Sequence, residues 1–320
     1  MPNPTRENVH VNRPLTNVAM NYIQEQDRYI ADEIFPYVGV QNKSDDYFKF
    51  DKGDLLRVEA KKRADGTESA GSGYRLATDA FNADVYAFHK DVGDQVRANS
   101  DNPLEPDRNA TQFVLQNLLM KREILFGNQF MNSTHADYVG WGVENTSADW
   151  SPDGDNPIDD IQQAMDTIKS VWERPNVAVM GQEVYSTLRN NADIIERYKY
   201  TQPGVLTEDL IAQVLDLDNM YIGDAIYNSA EEGAADSISY CIPEDAMLLA
   251  YAPRAPQVDL PSAGYTFGWE GLEGADGLNV RMKQFRMEER ASDRIEGEMA
   301  FDMKQTGSAL GYLFDNITLA

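Results

Sequence analysis

The chain has 320 residues, of which 42% are hydrophobic, and acidic residues outnumber basic ones by 53 to 28, giving a formal net charge of −25. A protein that grips nucleic-acid phosphates needs a basic surface, so this balance argues against tight binding of DNA or RNA. The mean hydropathy is −0.52 and no apolar run reaches the length of a membrane helix, so no membrane association is predicted. The length is enough for one or two domains with their own hydrophobic cores.

Residues that commonly carry catalysis are few and scattered. The single cysteine, Cys241, excludes an internal disulfide and fits synthesis in a reducing cytoplasm. The three histidines, at positions 10, 89 and 135, lie far apart along the chain. The sequence contains no P-loop, dinucleotide-binding, nucleophile-elbow, zinc-protease or C-x-x-C pattern. We therefore predict no enzymatic activity, no catalytic residue and no cofactor.

The best candidate for a metal site is the loop DWSPDGDNPIDD at Asp149–Asp160. Read as a twelve-residue calcium loop, it offers the carboxylates of Asp149, Asp153, Asp155 and Asp160. It departs from the calcium pattern by serine at the third position, proline at the ninth and aspartate at the twelfth. The alternative is a solvated loop whose acids favour the positive end of the helix that follows.

The first third of the chain predicts a polar arm and a projecting hairpin. The arm, which could hold a short helix at Val18–Ile30, has few apolar residues to pack. Short strands are predicted at Tyr47–Phe50 and Leu55–Ala60, and a returning strand at Ala80–Asp91. The glycines and serines of residues 66–73 cannot form a core, so the hairpin should project into solvent.

A long helix follows the hairpin. Asp107 can cap it, and apolar residues recur at helical spacing as far as Phe130. At about 1.5 Å per residue, this helix is more than about 30 Å long.

The rest of the chain predicts alternating helices and strands. Helices are predicted at Pro157–Trp172, Gln182–Asn190, Ile194–Arg197 and Thr207–Leu215. Strands are predicted at Asn176–Met180, Asn219–Ile222, Leu278–Glu289, Asp293–Gln305 and Ala309–Phe314, with a tight turn near Ala291–Ser292.

Taken together, these segments resemble the major capsid proteins of tailed bacteriophages, which have the Hong Kong 97-like fold. The resemblance spans about residues 30–320. It rests mainly on the segments DEIFPYV at Asp32–Val38, YFKFDKGDLLR at Tyr47–Arg57 and ADGTESAGSGYRL at Ala64–Leu76, and on the long helix. It implies an α+β fold divided into six parts. These are an N-terminal arm (1–44), an extended E-loop hairpin (45–91), a peripheral domain with a long spine helix (92–154), an axial α/β domain (155–255), peripheral return strands (256–308) and a C-terminal axial strand (309–320).

The resemblance also implies a function. The chain would assemble with itself, through pentamers and hexamers, into the icosahedral virion capsid that encloses double-stranded phage DNA, without sequence-specific binding and in the host cytoplasm. Because the chain begins directly at the arm, scaffolding would come from a separate protein, alongside portal and decoration proteins. Contacts between subunits are expected at Lys61, Lys62, Arg63, Glu68, Tyr74 and Arg75.

Some capsid proteins of this fold join a loop lysine covalently to an asparagine of a neighbour. Lys61 and Lys62 lie in the corresponding segment, but the sequence identifies neither the asparagine nor the buried glutamate that such chemistry needs. Three other interpretations remain open: an encapsulin-like nanocompartment shell, an acidic metal-dependent soluble hydrolase, and another virion protein such as a decoration or tail component.

Overall fold

The computed structural model describes residues 28–50, 53, 56–99, 106–151, 154–199, 207–256, 260–272 and 280–319. Most of the arm, with all but the end of the helix considered at Val18–Ile30, lies outside these residues. The described helices are α1 Ala31–Ile34, α2 Asp94–Asn99, α3 Pro106–Phe126, α4 Pro157–Lys169, α5 Gln182–Asn190, α6 Ala192–Lys199 and α7 Glu208–Leu215. None of them is long and apolar enough to cross a membrane.

Among the described residues, the strands form two five-stranded sheets and two small ribbons, so the predicted α+β class is confirmed. The strands are β1 Tyr37–Val40, β2 Ser44–Phe50, β3 Leu76–Asn82, β4 Asp84–Gly93, β5 Val143–Asn145, β6 Val177–Gly181, β7 Asn219–Gly223, β8 Ile226–Asn228, β9 Ile238–Tyr240, β10 Met247–Ala250, β11 Gly264–Trp269, β12 Val280–Met287, β13 Ser292–Gln305 and β14 Gly311–Phe314. The first sheet has the order β1-β11-β13-β12, with β4 also paired to β13, and the second has the order β5-β14-β10-β6-β7.

Helix α3 packs on one face of the first sheet. Its buried stripe includes Val114 and Leu118, and these side chains lie against Gly297 of β13, where an added Cβ would come within 2.7–2.8 Å of them. The helix then continues as one turn of π-helix, Gly127–Met131. Gly127 is needed there, because a Cβ would lie 2.4 Å from the carbonyl oxygen of Cys241. The predicted helix through Phe130 is therefore confirmed, with a change of winding near its end. Asp107 does not cap it, because the helix begins one residue earlier and the Asp107 carboxylate binds Arg97 at 2.7 Å.

The second sheet has a fully buried centre. Every residue of β6 and β10 is buried, which is typical of strands covered on both faces. Helix α4 contributes apolar side chains to this core and begins where the Asn156 side chain accepts a hydrogen bond of 3.0 Å from the Ile158 N–H. The predicted helices and strands of this region are confirmed, with no end moved by more than three residues.

The hairpin differs from the prediction. Residues 56–60 form no strand, and β2 pairs instead with β3, with Tyr47 opposite Asp79. Leu56 and Val58 alternate with charged residues as strand residues do, but the described chain offers them no pairing partner. The predicted strand Ala80–Asp91 is divided at the buried Ala83, whose N–H donates to the Lys43 carbonyl, and its second half, β4, joins the first sheet.

The C-terminal third follows the prediction closely apart from β11, where no strand was predicted. Strand β12 pairs antiparallel with β13 along the whole of β12, and the turn between them passes through Ala291 with φ at 44°. The last strand is shorter than predicted, because Ser308–Leu310 forms a 3₁₀ turn before β14. The division into arm, hairpin, peripheral and axial parts stays a prediction.

Candidate assembly interface

The projecting ribbon of β2 and β3 is rooted in the first sheet by aromatic side chains. Phe81 is buried and stacks on Phe267 of β11, with ring centroids 4.5 Å apart and planes 12° apart. The Tyr47 ring lies 5.4 Å from the same phenylalanine. The Asn82 N–H donates a hydrogen bond of 2.8 Å to Asp302, whose carboxyl pKa is raised by burial. These contacts fix the direction in which the ribbon leaves the sheet.

Further out, polar side chains set the register of the ribbon. The Lys49 ammonium lies 2.5 Å from Asp79, and the Tyr47 hydroxyl donates to the same carboxylate over 3.3 Å. The hydrogen bond from Lys49 holds the pKa of Asp79 below its usual range. Because both members of the ion pair are well exposed, it contributes only about 0–1 kcal/mol and serves mainly to select the pairing.

The loop of residues 56–75, here called the tip loop, stands clear of the subunit body. Each of its side chains is exposed except that of Glu59, which is half-buried. Around Gly66, Gly71 and Gly73, no described atom lies within 4 Å of the position a Cβ would take. One turn is formed within it, where Thr67 donates through both its N–H and its hydroxyl to the Ala64 carbonyl.

The tip loop displays basic and apolar side chains together. The basic run is formed by Lys61, Lys62 and Arg63, which are all exposed. Apolar side chains are exposed on the same loop, with 90% exposure at Val58 and 58% at Tyr74. Large apolar groups in water beside charges are typical of a surface that a partner covers.

The predicted contact residues all lie on this one projection. Lys61, Lys62, Arg63, Glu68, Tyr74 and Arg75 are exposed within the tip loop. Their contact with a second subunit stays a prediction. Sequence reasoning missed Leu56 and Val58, because their alternation with charged residues was interpreted as a strand.

The candidate calcium loop is partly engaged by the protein itself. Asp160 accepts a hydrogen bond of 2.9 Å from the Trp150 indole N–H, and Asp149 accepts one of 3.1 Å from the Ser151 N–H. Asp153 lies outside the described residues. Among the residues that are described, no three His, Cys, Asp or Glu side chains cluster as metal ligands do. The sequence offers calcium binding only as an alternative to a solvated loop, and two of the four acids are already hydrogen-bonded.

A buried glutamate, which sequence reasoning did not find, lies on α3. Glu123 is fully buried, and burial raises its carboxyl pKa to about 7. Its position could have been found from helical spacing, because it falls four residues after Leu119 and three before Phe126, both in the buried stripe. This glutamate alone does not establish the lysine cross-link, which the sequence left open.

Known proteins resemble the chain along almost its whole length. Residues 138–248 match the family described as phage major capsid protein E. The major capsid protein of Burkholderia phage BcepMu is 25% identical, with 95% of each chain covered. That of Pseudomonas phage JBD67 is 24% identical, with 96% of each covered. The predicted resemblance to phage major capsid proteins is confirmed.

Solved structures give the same result for the fold. A phage-related protein from Bordetella bronchiseptica superposes with a TM-score of 0.69 at 20% identity, covering 98% of this chain and 99% of its own. The mature capsid of bacteriophage PhiM1 gives a TM-score of 0.54 at 13% identity, covering 91% of this chain and 87% of its own. The chain has the fold of phage capsid proteins. An encapsulin from Synechococcus elongatus shares that fold, with a TM-score of 0.52 at 10% identity over 100% of this chain and 94% of its own.

The family match and the projecting ribbon occupy different parts of the molecule. Residues 138–248 hold most of the second sheet and its helices, whereas the ribbon and tip loop precede that range. The tip loop is therefore tied to capsid proteins by the full-length relatives and by the fold, not by the family match.

Proposed function

We propose that the chain is the major capsid protein of a tailed phage and closes with copies of itself, through pentamers and hexamers, into an icosahedral shell around double-stranded DNA. The observation that carries this proposal is similarity to two major capsid proteins over nearly the full length of each. The net charge of −25 suits a container that holds DNA without gripping it. Such a protein works through geometry, since one chain must make many equivalent contacts and close.

The tip loop is the surface we assign to contact between subunits. Its consecutive cations Lys61, Lys62 and Arg63 belong to a chain that is strongly acidic elsewhere, so a second copy presents the opposite charge. Exposed ion pairs contribute about 0–1 kcal/mol each, so they select register more than they add strength. Burial of Val58 and Tyr74 against the neighbour would supply the larger part of the attraction.

A nanocompartment shell is the second candidate, because an encapsulin shares the fold. The full-length relatives favour the phage capsid over this alternative. Scaffolding, portal and decoration proteins are expected partners of the assembling shell. A metal-dependent hydrolase is the weakest candidate, since the matching family is structural.

Expression alone and together with the neighbouring morphogenesis genes tests the proposal. Sedimentation velocity and negative-stain images should show rings of five and six subunits and closed icosahedral particles. A protein that stays monomeric at every salt concentration, with and without those partners, would contradict it. Particles that enclose a dedicated protein cargo and are never filled with DNA during infection would replace the phage capsid with the nanocompartment.

A further inference from the structure

The segment Ile30–Phe35 is held against α3 and the π-turn that follows it by a carboxyl group and by aromatic packing. The Glu123 Oε2 accepts the N–H groups of Ile30 at 3.1 Å and Ala31 at 3.0 Å. Phe35 packs against the rings of Phe126 and Phe130, with centroids 5.7 and 5.1 Å away. The segment therefore depends on one carboxyl group for the hydrogen bonds at its start.

The second oxygen of this carboxyl group has an unusual environment. The Glu123 Oε1 is buried and has no hydrogen-bond partner among the described residues. An ionised carboxylate would leave charge on this unsolvated atom, which is costly in a protein interior. A protonated carboxyl can carry its proton on Oε1 while Oε2 still accepts both N–H groups. The geometry thus accommodates the neutral acid better than the ion.

The charged and titratable groups around the carboxyl do not reverse this preference. Arg122, on the same helix, is engaged with Asp32 of α1 over 2.9 Å. From the chain between β9 and β10, the Cys241 thiol faces Glu123, and burial raises the thiol pKa to about 12, so it stays neutral. Tyr221 of β7 faces Glu33, and its pKa is raised mainly by burial, so it also stays neutral.

We propose that Glu123 is a proton-operated latch, which holds the segment Ile30–Phe35 in place while protonated and weakens its attachment when ionised. The segment leads directly into β1 and, four residues beyond that strand, into the ribbon that carries the tip loop. Ionisation of Glu123 therefore loosens the chain just before β1 and the ribbon, ahead of the tip loop in sequence. It is a property of the single subunit and holds whether or not the chain forms a shell.

The pH dependence of segment opening follows from the difference in the Glu123 pKa between the closed and open states. The latch has a pKa of about 7 when closed, against the ordinary glutamate value of about 4.5 when the segment is released. Because the closed state binds the proton more tightly, closure is favoured at low pH and weakens as pH rises through the range between these values. The opening equilibrium constant should rise about tenfold between pH 6 and pH 8.5.

Hydrogen–deuterium exchange of the unassembled subunit tests the latch. Protection of the Ile30 and Ala31 amides, corrected for intrinsic exchange rates, should fall about tenfold from pH 6 to pH 8.5. Glu123→Gln keeps an acceptor oxygen but cannot ionise, so its protection should be independent of pH over this range. The matched control is Glu183→Gln, which removes an exposed carboxylate on α5 and should follow the wild-type curve.

A flat wild-type curve would overturn the latch, and this test needs no variant to fold. Equal pH dependence in wild type and Glu123→Gln would overturn it as well, because another group would then be responsible. A flat Glu183→Gln curve would do the same, since any lost carboxylate would then have the effect.

Discussion

The segment Ile30–Phe35 and the tip loop lie on either side of β1 and β2, yet they relate to the subunit in opposite ways. In the segment, Ile30, Ile34 and Phe35 are at most 5% exposed and pack into the main core. Its first two N–H groups donate hydrogen bonds to the buried Glu123 carboxyl. In the tip loop, Val58 is 90% exposed and the glycines have open space around them. The comparison teaches that one is completed by its own subunit, whereas the other keeps its apolar side chains exposed, which is why we propose that a neighbour covers it.

The difference has an energetic basis. Ordering a residue costs about 1–2 kcal/mol of backbone entropy, and burial of apolar surface must offset that cost. The segment obtains this burial from α3 and the first sheet. The tip loop has basic, glycine and serine residues in half of its positions, and the described part of the subunit leaves its large apolar side chains exposed.

The largest effect is expected at Phe35. Phe35→Ala removes a ring packed between Phe126 and Phe130 and should lower the free energy of unfolding by about 3–5 kcal/mol. Urea unfolding followed by circular dichroism measures this loss. Phe48→Ala makes the same change at a site that is 62% exposed, and it should cost less than about 0.5 kcal/mol. Equal losses at the two positions would remove the distinction between segment and ribbon.

Two ion pairs allow the same comparison, with a smaller expected difference in the free energy of unfolding. Arg122→Ala leaves Asp32 without its partner in a largely buried site and should cost about 1–3 kcal/mol in urea unfolding. The tip loop offers a matched exposed pair, Arg57 and Glu59, 3.4 Å apart. Arg57→Ala should cost about 0–1 kcal/mol. A larger loss from Arg57→Ala than from Arg122→Ala would mean that the tip loop is integral to the subunit.

Charge reversal in the tip loop should leave folding intact and impair assembly. Replacing Lys61, Lys62 and Arg63 together by Glu should change the free energy of unfolding by less than about 0.5 kcal/mol. Particle yield in sedimentation should fall strongly, because the cations would no longer face an acidic neighbour.

The control for that variant changes the net charge equally at a distance from the tip loop. Lys121, Lys169 and Arg189 are exposed on helices, and their replacement by Glu adds the same negative charge. This control should assemble better than the tip-loop variant. If both variants lose assembly alike, net charge rather than the tip loop is responsible.

The smallest expected effect concerns ionic strength. Subunits that each carry −25 repel one another, and salt shortens that repulsion to roughly 8 Å at physiological concentration. Light scattering should therefore show faster assembly as salt or divalent cations are added. Faster assembly at very low salt would show that attraction between opposite charges outweighs the repulsion.

Much of the fold could be predicted because local pattern and final structure agree. The stripe of α3, the buried run of β6 and the turn at Ala291 are visible in the sequence. The strand predicted at Leu55–Ala60 was wrong, because alternation describes a strand only where another strand is available to pair. Ala83 divides the next predicted strand through a contact with Lys43, which no local pattern reveals.

The position of the projecting loop along the chain could be predicted from the sequence, but the contacts of Glu123 could not. Composition alone located the projecting loop, since glycine and serine cannot pack. The role of Glu123 depends on contacts with residues 92 and 93 positions earlier in the chain, which lie beyond any local pattern.

The most direct test of the central claim compares the tip loop in free and assembled subunits. Limited trypsin digestion followed by mass spectrometry should cut after Lys61, Lys62 or Arg63 in unassembled subunits, where these side chains are exposed. In purified particles the same bonds should be spared, because a neighbouring subunit covers the tip loop. Equal protection in free subunits and particles, or equal cleavage in both, would contradict the claim that a neighbour completes this surface.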